Sequence, residues 1–290
     1  MKNKYALLGV TAALIGAAFL LAGLKGLMEE QHAGKEYESL LDRIGTESSV
    51  VQNDNVTEVS ETEGEKTSDS HAHSETDETV VSENAADESE AEESHDFMTR
   101  EDIDFEELQA LNPDIYAWIE VPGTNIDYPI VQHEEDNSYY LTHTIEHKET
   151  VAASIYTENY NSKDFEDHHT VIYGHNMKNG TMFRSLHQFE DYDFFEEHRE
   201  IIIYMPEDTK YYKIFAAYTY DNRHLLHSYY CEEAESFQKY LDEVFAIKDF
   251  NAFIDREMEV TGEDRIITLS TCVNSGDMTQ RYLVQAVLID

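Results

Sequence analysis

Between residues 101 and 290 the chain sets β-branched and aromatic residues in short runs, separated by polar or glycine-containing stretches. Such runs fall at 115–120, 127–132, 154–157, 170–173, 201–205, 210–220, 265–271 and 281–288, and their length and composition predict strands. Helical spacing is confined to 101–111, 182–189, 192–198 and a longer insert at 232–253. Ser228, Glu232 and Glu233 favour the start of that last helix, because acids complement a helix N-terminus. Eight strands with few helices between them predict a mainly all-β fold, an eight-stranded barrel with an N-terminal helix and a helical insert, rather than a series of βαβ units.

The first hundred residues follow a different pattern. Lys2 and Lys4 precede an uncharged apolar run at 5–24, closed by Lys25. Twenty helical residues span ~30 Å, one hydrocarbon thickness. A cleaved signal would have a shorter apolar core and a small-residue cleavage site, so residues 1–25 read as an uncleaved single-pass anchor with the N-terminus in the cytoplasm. Residues 26–100 hold 22 Asp and Glu against four Lys and Arg, with almost no aromatics. That composition cannot bury enough apolar surface to offset chain entropy, and predicts an extended, disordered extracellular spacer. His71 and His73 in this tract read as solvated side chains rather than metal ligands. The remaining 101–290 are long enough for one sizeable core.

Charge narrows the partners. The chain has 61 acidic and 20 basic residues, a net −41, and residues 101–290 alone hold 39 acids against 13 bases. Nucleic acid is excluded, since phosphate binding requires the opposite sign. An acidic surface is ordinarily just solvated; the functional alternative is attraction of a cationic acceptor such as a free amine.

The candidate chemistry lies where two strands end. The run Ile266-Ile267-Thr268-Leu269 leads to Ser270-Thr271-Cys272, with Arg281 nine residues on, and Thr170-Val171-Ile172-Tyr173 leads to Gly174-His175-Asn176. A thiol near its unperturbed pKa of ~8.5 is mostly protonated at neutral pH, so a cysteine nucleophile needs an imidazole to exchange its proton. The tetrahedral intermediate needs a fixed cation or N–H donor for its oxyanion, which Arg281 can supply without a proton to lose. Residue types alone do not decide the matter, since a lone strand cysteine is ordinarily a small buried hydrophobe.

The wording of the motifs adds to this. Thr268-Leu269-Ser270-Thr271-Cys272 with Arg281 downstream, and Tyr173-Gly174-His175-Asn176-Met177 upstream, resemble the sortases, cysteine transpeptidases of Gram-positive cell surfaces. Asn112 to Ile119, Val121-Pro122-Gly123-Thr124, Ile126 to Gln132 and Asn179 to Phe183 resemble other segments of that family. The N-terminal helix and the long insert before the cysteine strand resemble class B. The resemblance implies that Cys272 attacks the peptide bond after the Thr of a C-terminal sorting signal on a secreted protein. It further implies that His175 acts as general acid and base, that Arg281 holds the carbonyl and oxyanion, and that an amine of peptidoglycan or its precursor resolves the thioester. Ser270 and Asn137 are implied as groove-lining residues, with plain structural roles equally open. No metal or organic cofactor is required.

Three alternatives remain open at this level. A pilin polymerase would share the site and use a lysine as acceptor. A catalytically silent acidic surface module would bind a partner through the barrel. Cys231 and Cys272, the two cysteines of the chain, could form a disulfide, as exported domains often do. A papain-like protease fits less well, because there the cysteine begins a helix near the mature N-terminus. The sorting motif depends on loop geometry that periodicity does not supply.

Overall fold

The computed structural model describes Arg100 and residues 103–289. The predicted anchor and, but for Arg100, the predicted spacer lie outside the described residues. Among the described residues no helix is long and apolar enough to cross a membrane.

The elements in chain order are α1 (Phe105–Leu111), β1 (Ile115–Val121), β2 (Ile126–Val131), β3 (Ile155–Thr157), β4 (His169–Tyr173), a 3-10 segment (Phe183–Glu190), α2 (Tyr192–Glu197), β5 (Glu200–Tyr204), β6 (Thr209–Asp221), α3 (Leu225–Ser228), α4 (Ala234–Phe245), β7 (Phe253–Ile254), β8 (Ile266–Cys272) and β9 (Gln280–Leu288). Strands pair in the order β5-β1-β2-β3-β4-β8-β9-β6, and β6 pairs back onto β5. This closes an eight-stranded barrel, which removes the exposed edges of an open sheet. The two-residue β7 sits outside the ring, against β6. The barrel is mixed: β2 with β3 and β4 with β8 are parallel, the other pairings antiparallel.

All eight predicted strands are present, with ends shifted by a residue or so, and the helices are shorter than predicted. The N-terminal helix begins at its cap, Asp104, whose side chain accepts from the Glu107 amide at 3.0 Å; a carboxylate there satisfies an otherwise orphaned N–H. The segment at 182–189 is 3-10 rather than α. The insert predicted as one helix over 232–253 is instead α4 alone, with α3 before it and a loop and β7 after it. Phe237, Tyr240, Leu241 and Val244 form its buried stripe, and the 3.6-residue period stops there. Beyond it Asp249 turns back to accept from the Asn251 amide at 3.1 Å, a local bond that competes with helix.

Side chains alternate between two cores. Ile267, Leu269, Tyr282, Val284 and Ala286 face the barrel interior with Ile119, Ile172 and Phe183. Ile266, Leu283, Val287 and Val171 face outward, where α3 and α4 cover them with Leu225, Phe237, Tyr240, Leu241 and Val244. The period of two along β8 and β9 therefore puts Thr268, Ser270, Cys272 and Arg281 on the outer face with the insert.

A register shift between Ile214 and Ala216 matters to that face. Tyr212 and Ile214 point inward, and strict alternation would take Ala216 and Tyr218 the same way. The extra residue turns Ala216 and Tyr218 to the insert, beside Phe215, instead, as a bulge reverses facing beyond it. Tyr220 is carried to the same side and reaches the cleft that holds Cys272.

Candidate active site

Cys272 ends β8 and Arg281 lies near the start of β9, and the two are direct cross-strand partners. Directly opposed residues of an antiparallel pair have Cα atoms about 4.5–5.5 Å apart with side chains on one face. The short connection between the strands thus returns the arginine beside the thiol. β4 runs parallel to β8 on its other side, with Tyr173 paired to Ser270 and the Gly174 amide donating to Ser270 O at 3.2 Å. His175 therefore emerges at the end of the sheet where Cys272 stands.

Local sequence keeps it there. A Cβ on Gly174 would come within 2.6 Å of Ile155 Cδ1 and of the Phe183 ring, closer than real contacts allow, so the residue before the histidine has to be glycine. The loop then turns tightly: Gly180 adopts φ +94°, the Gly180 amide donates to Met177 O at 3.1 Å, and Asn179 Oδ1 accepts from the Thr181 amide and hydroxyl at 3.1 and 2.7 Å. These are the roles Gly and Asn serve in turns. The Phe183 amide closes the loop onto His175 O at 2.9 Å. His175 Nε2 donates to Leu141 O at 2.8 Å. A carbonyl can only accept, so that nitrogen carries hydrogen and the neutral ring keeps its lone pair on Nδ1.

Cys272, His175, Arg281 and Ser270 line one cleft of about 270 Å3, together with Glu158, Tyr173, Tyr220, Arg223 and His224 among others. Arg281 Nη1 donates to Gln280 O at 2.8 Å. Its charge is felt by the phenols of Tyr156 and Tyr173, whose pKa values burial and the Glu158 carboxylate push far up and the guanidinium pulls down. Both phenols are consequently hydrogen-bond donors at neutral pH. Ser270 is buried at the cleft. Asn137 is not among the residues that line it; its Oδ1 accepts from the Asn159 amide at 2.7 Å.

Residues that the sequence left without a role hold Cys272 from behind. The Cys272 carbonyl accepts from Asn176 Nδ2 at 2.8 Å and from His187 Nε2 at 3.0 Å. Arg184 Nη1 donates to Asn176 Oδ1 at 3.0 Å, fixing which way that amide points, and Glu190 Oε1 lies 2.6 Å from His187 Nδ1. The asparagine of the Gly-His-Asn run was visible in the sequence. His187 and Glu190, one turn apart on the 3-10 segment, carried no signal until the fold brought them under β8.

The two cysteines are both free, so the disulfide alternative does not hold. Cys231 lies in a different, larger cavity of about 520 Å3 lined by His168, His169, His227 and Tyr229 among others, which contains neither Cys272 nor Arg281. Among the described residues no cluster of His, Cys, Asp or Glu is arranged to hold a metal.

A thiol at a strand end, a cation opposite it and an imidazole just beyond the end of the neighbouring strand, all lining one cleft, are the groups a cysteine acyl-transfer site needs, and they stand here on a closed barrel. The family model for the sortase domain matches residues 119–289. Sortase B of Listeria monocytogenes is 38% identical over 189 residues, covering 63% of this chain and 73% of the relative; sortase B of Staphylococcus aureus is 32% identical over 190, covering 64% and 74%. The crystal structure of Clostridium perfringens sortase B superposes with a TM-score of 0.57 at 33% identity, covering 64% of this chain and 99% of the other. A Staphylococcus aureus sortase B–substrate complex superposes at 0.55 and 30% identity, covering 64% and 84%. The chain belongs to the sortase family, the cysteine transpeptidases of cell-wall anchoring, and within it is class B-like.

Proposed function

We propose that the chain is a membrane-anchored, cell-surface transpeptidase that cleaves a C-terminal sorting signal after Thr and joins the secreted protein to an amine of peptidoglycan or its precursor. The observation that carries this reading is the register pairing of Cys272 with Arg281 in the cleft that also receives His175. Cys272 Sγ attacks the carbonyl after the Thr; Arg281 stabilises the oxyanion as charge develops. His175 protonates the departing amine, which leaves an acyl-thioester on Cys272. An incoming amine then forms the new amide bond and the thiol is restored. The apolar run at 5–24 holds the enzyme in the membrane, residues 26–100 act as the spacer, and residues 101–290 form the catalytic domain facing outward. Ser270 contributes to the groove wall on this reading, and Asn137 acts at most through Asn159.

The test is mass spectrometry of the full chain with fluorogenic sorting-signal peptides of LPxTG-like and NPxTN-like sequence, with and without amine acceptors. The expected result is an acyl adduct on Cys272 followed by an amine-ligated product, which also names the motif. Preference for a protein lysine over a wall-type amine would shift the reading to pilin polymerisation. No adduct with any peptide, while Cys272 is titrated as a free thiol, would sink the transpeptidase and leave a binding module.

A further inference from the structure

We infer that Glu158 and His224 form the seat of the incoming amine, the carboxylate holding its ammonium form and the imidazole taking the proton that must leave before attack. This inference rests on the transpeptidase reading and assigns residues to its second half.

The chemistry requires such a seat. A primary amine reaches the enzyme mainly as an ammonium ion, which has no lone pair to attack with. His175 is engaged in the first half-reaction, returning a proton to the first leaving group. The cleft contains a second imidazole and two carboxylates, Glu158 and Asp221. Asp221 is occupied, since Arg223 Nε bridges both of its oxygens at 2.8 and 2.9 Å. Glu158 is held without a full cationic partner: its Oε2 accepts from the Tyr173 phenol at 3.1 Å and lies 2.7 Å from His224 Nε2. Its side chain is only 13% exposed, so the desolvated carboxylate gains from a positive guest.

His224 is placed by its neighbours and left with its nitrogens uncommitted. His227 stacks on its ring with centroids 3.9 Å apart, and Tyr160 and Tyr173 approach at 5.9 and 6.4 Å. Both ring nitrogens are buried and neither makes a hydrogen bond of good geometry; the close approach to Glu158 lies off the bonding direction. The ring as a whole is partly exposed, but two nitrogens shut from water and unsatisfied, beside a carboxylate in the reaction cleft, are unfavourable without a guest that supplies the missing bonds.

The step balances. The ammonium gives one proton to His224, and the freed lone pair forms the C–N bond at the thioester carbonyl. Collapse of the tetrahedral adduct breaks the C–S bond, and the second nitrogen proton passes through His175 to the departing thiolate of Cys272. His224 returns its proton to water.

The experiment compares E158Q and H224Q with the unaltered full chain in separate half-reactions. The first is formation of the Cys272 thioester from a sorting-signal peptide; the second is resolution by water, by triglycine or by hydroxylamine. Triglycine arrives largely as an ammonium, whereas hydroxylamine is uncharged at neutral pH and needs no base. Thioester formation within about threefold of the unaltered chain is expected, with triglycine ligation reduced at least tenfold and products diverted to hydrolysis. E158Q should act mainly through the KM for triglycine and H224Q through the maximal rate, while ligation to hydroxylamine stays within about threefold. Parallel loss of thioester formation and both ligations, or no loss of triglycine ligation, would overturn the inference and leave the transpeptidase reading in place. Absence of any thioester in the unaltered chain would overturn both.

Discussion

Two cavities border α3, and each offers a cysteine and histidines. In one, Cys231 Sγ lies 3.7 Å from His169 Nδ1; in the other, Cys272 shares its walls with His175. The first pair has the contact a thiol–imidazole dyad needs, yet its surroundings oppose ionisation. Burial pushes the Cys231 thiol up to about 11 and the His169 imidazole down to about 3, so a thiolate–imidazolium pair there would place two charges where neither is solvated. His169 spends its other nitrogen on Thr268 Oγ1 at 2.7 Å, in a buried chain through Gln285 to Tyr240 and Tyr218. The second site has Arg281 opposite the thiol and a main-chain carbonyl clamped from behind. On the proposed mechanism, reactivity should follow the fixed cation rather than the mere proximity of sulfur to imidazole.

Removing the proposed nucleophile should have the largest effect. C272A is expected to abolish the acyl adduct, while C231S retains it; turnover surviving in C272A, read by mass and by peptide cleavage, would move the chemistry elsewhere. R281A should lower kcat/KM by a factor of about 10²–10³, or ~3–4 kcal/mol of transition-state stabilisation, as loss of an oxyanion donor does. R281K should recover only part of it, because an ammonium lacks the planar fork.

The Cys231 end should instead report through stability. His169 binds a proton in the unfolded chain near pH 6.5 and in the folded protein only near pH 3. Between those values the unfolded state holds more protons, so stability is complete above about pH 6.5 and declines as pH falls, by at most ~1.4 kcal/mol per unit. Urea unfolding at pH 7 and pH 5 should show this decline, and H169Q should lose the part due to the imidazole; an unchanged slope would place the acid sensitivity in other groups. The smallest effect is expected for C231S, within about twofold of full activity and less than ~1 kcal/mol in stability, consistent with a half-buried thiol that packs rather than reacts. Preferential alkylation of Cys231 over Cys272 at neutral pH would reverse the comparison.

Strand positions and barrel class were legible, and the proposed Cys272–His175–Arg281 set could be singled out, because each rests on local pattern: alternating β-type runs, and motifs written contiguously around each side chain. The same local logic over-extended the insert, since Lys248, Asp249 and Asn251 do not by themselves announce where a helix stops. It also gave Glu158, His187, Glu190 and His224 no role, because their partners lie far away along the chain or across the barrel.

The sequence by itself determined that β-type segments would end on a thiol and an imidazole and that a guanidinium would follow nine residues after the thiol. These depend on side-chain period and backbone sterics within a few residues. The tertiary structure alone decided that Arg281 stands opposite Cys272 and that the bulge at Phe215 turns Tyr220 toward the cleft. It also decided that Asn176 and His187 grip the Cys272 carbonyl, and that the two cysteines lie in separate cavities, Cys231 beside His169 and Cys272 beside Arg281. Register, facing and burial are set by which strands pair and what covers them, and those contacts join residues up to a hundred positions apart.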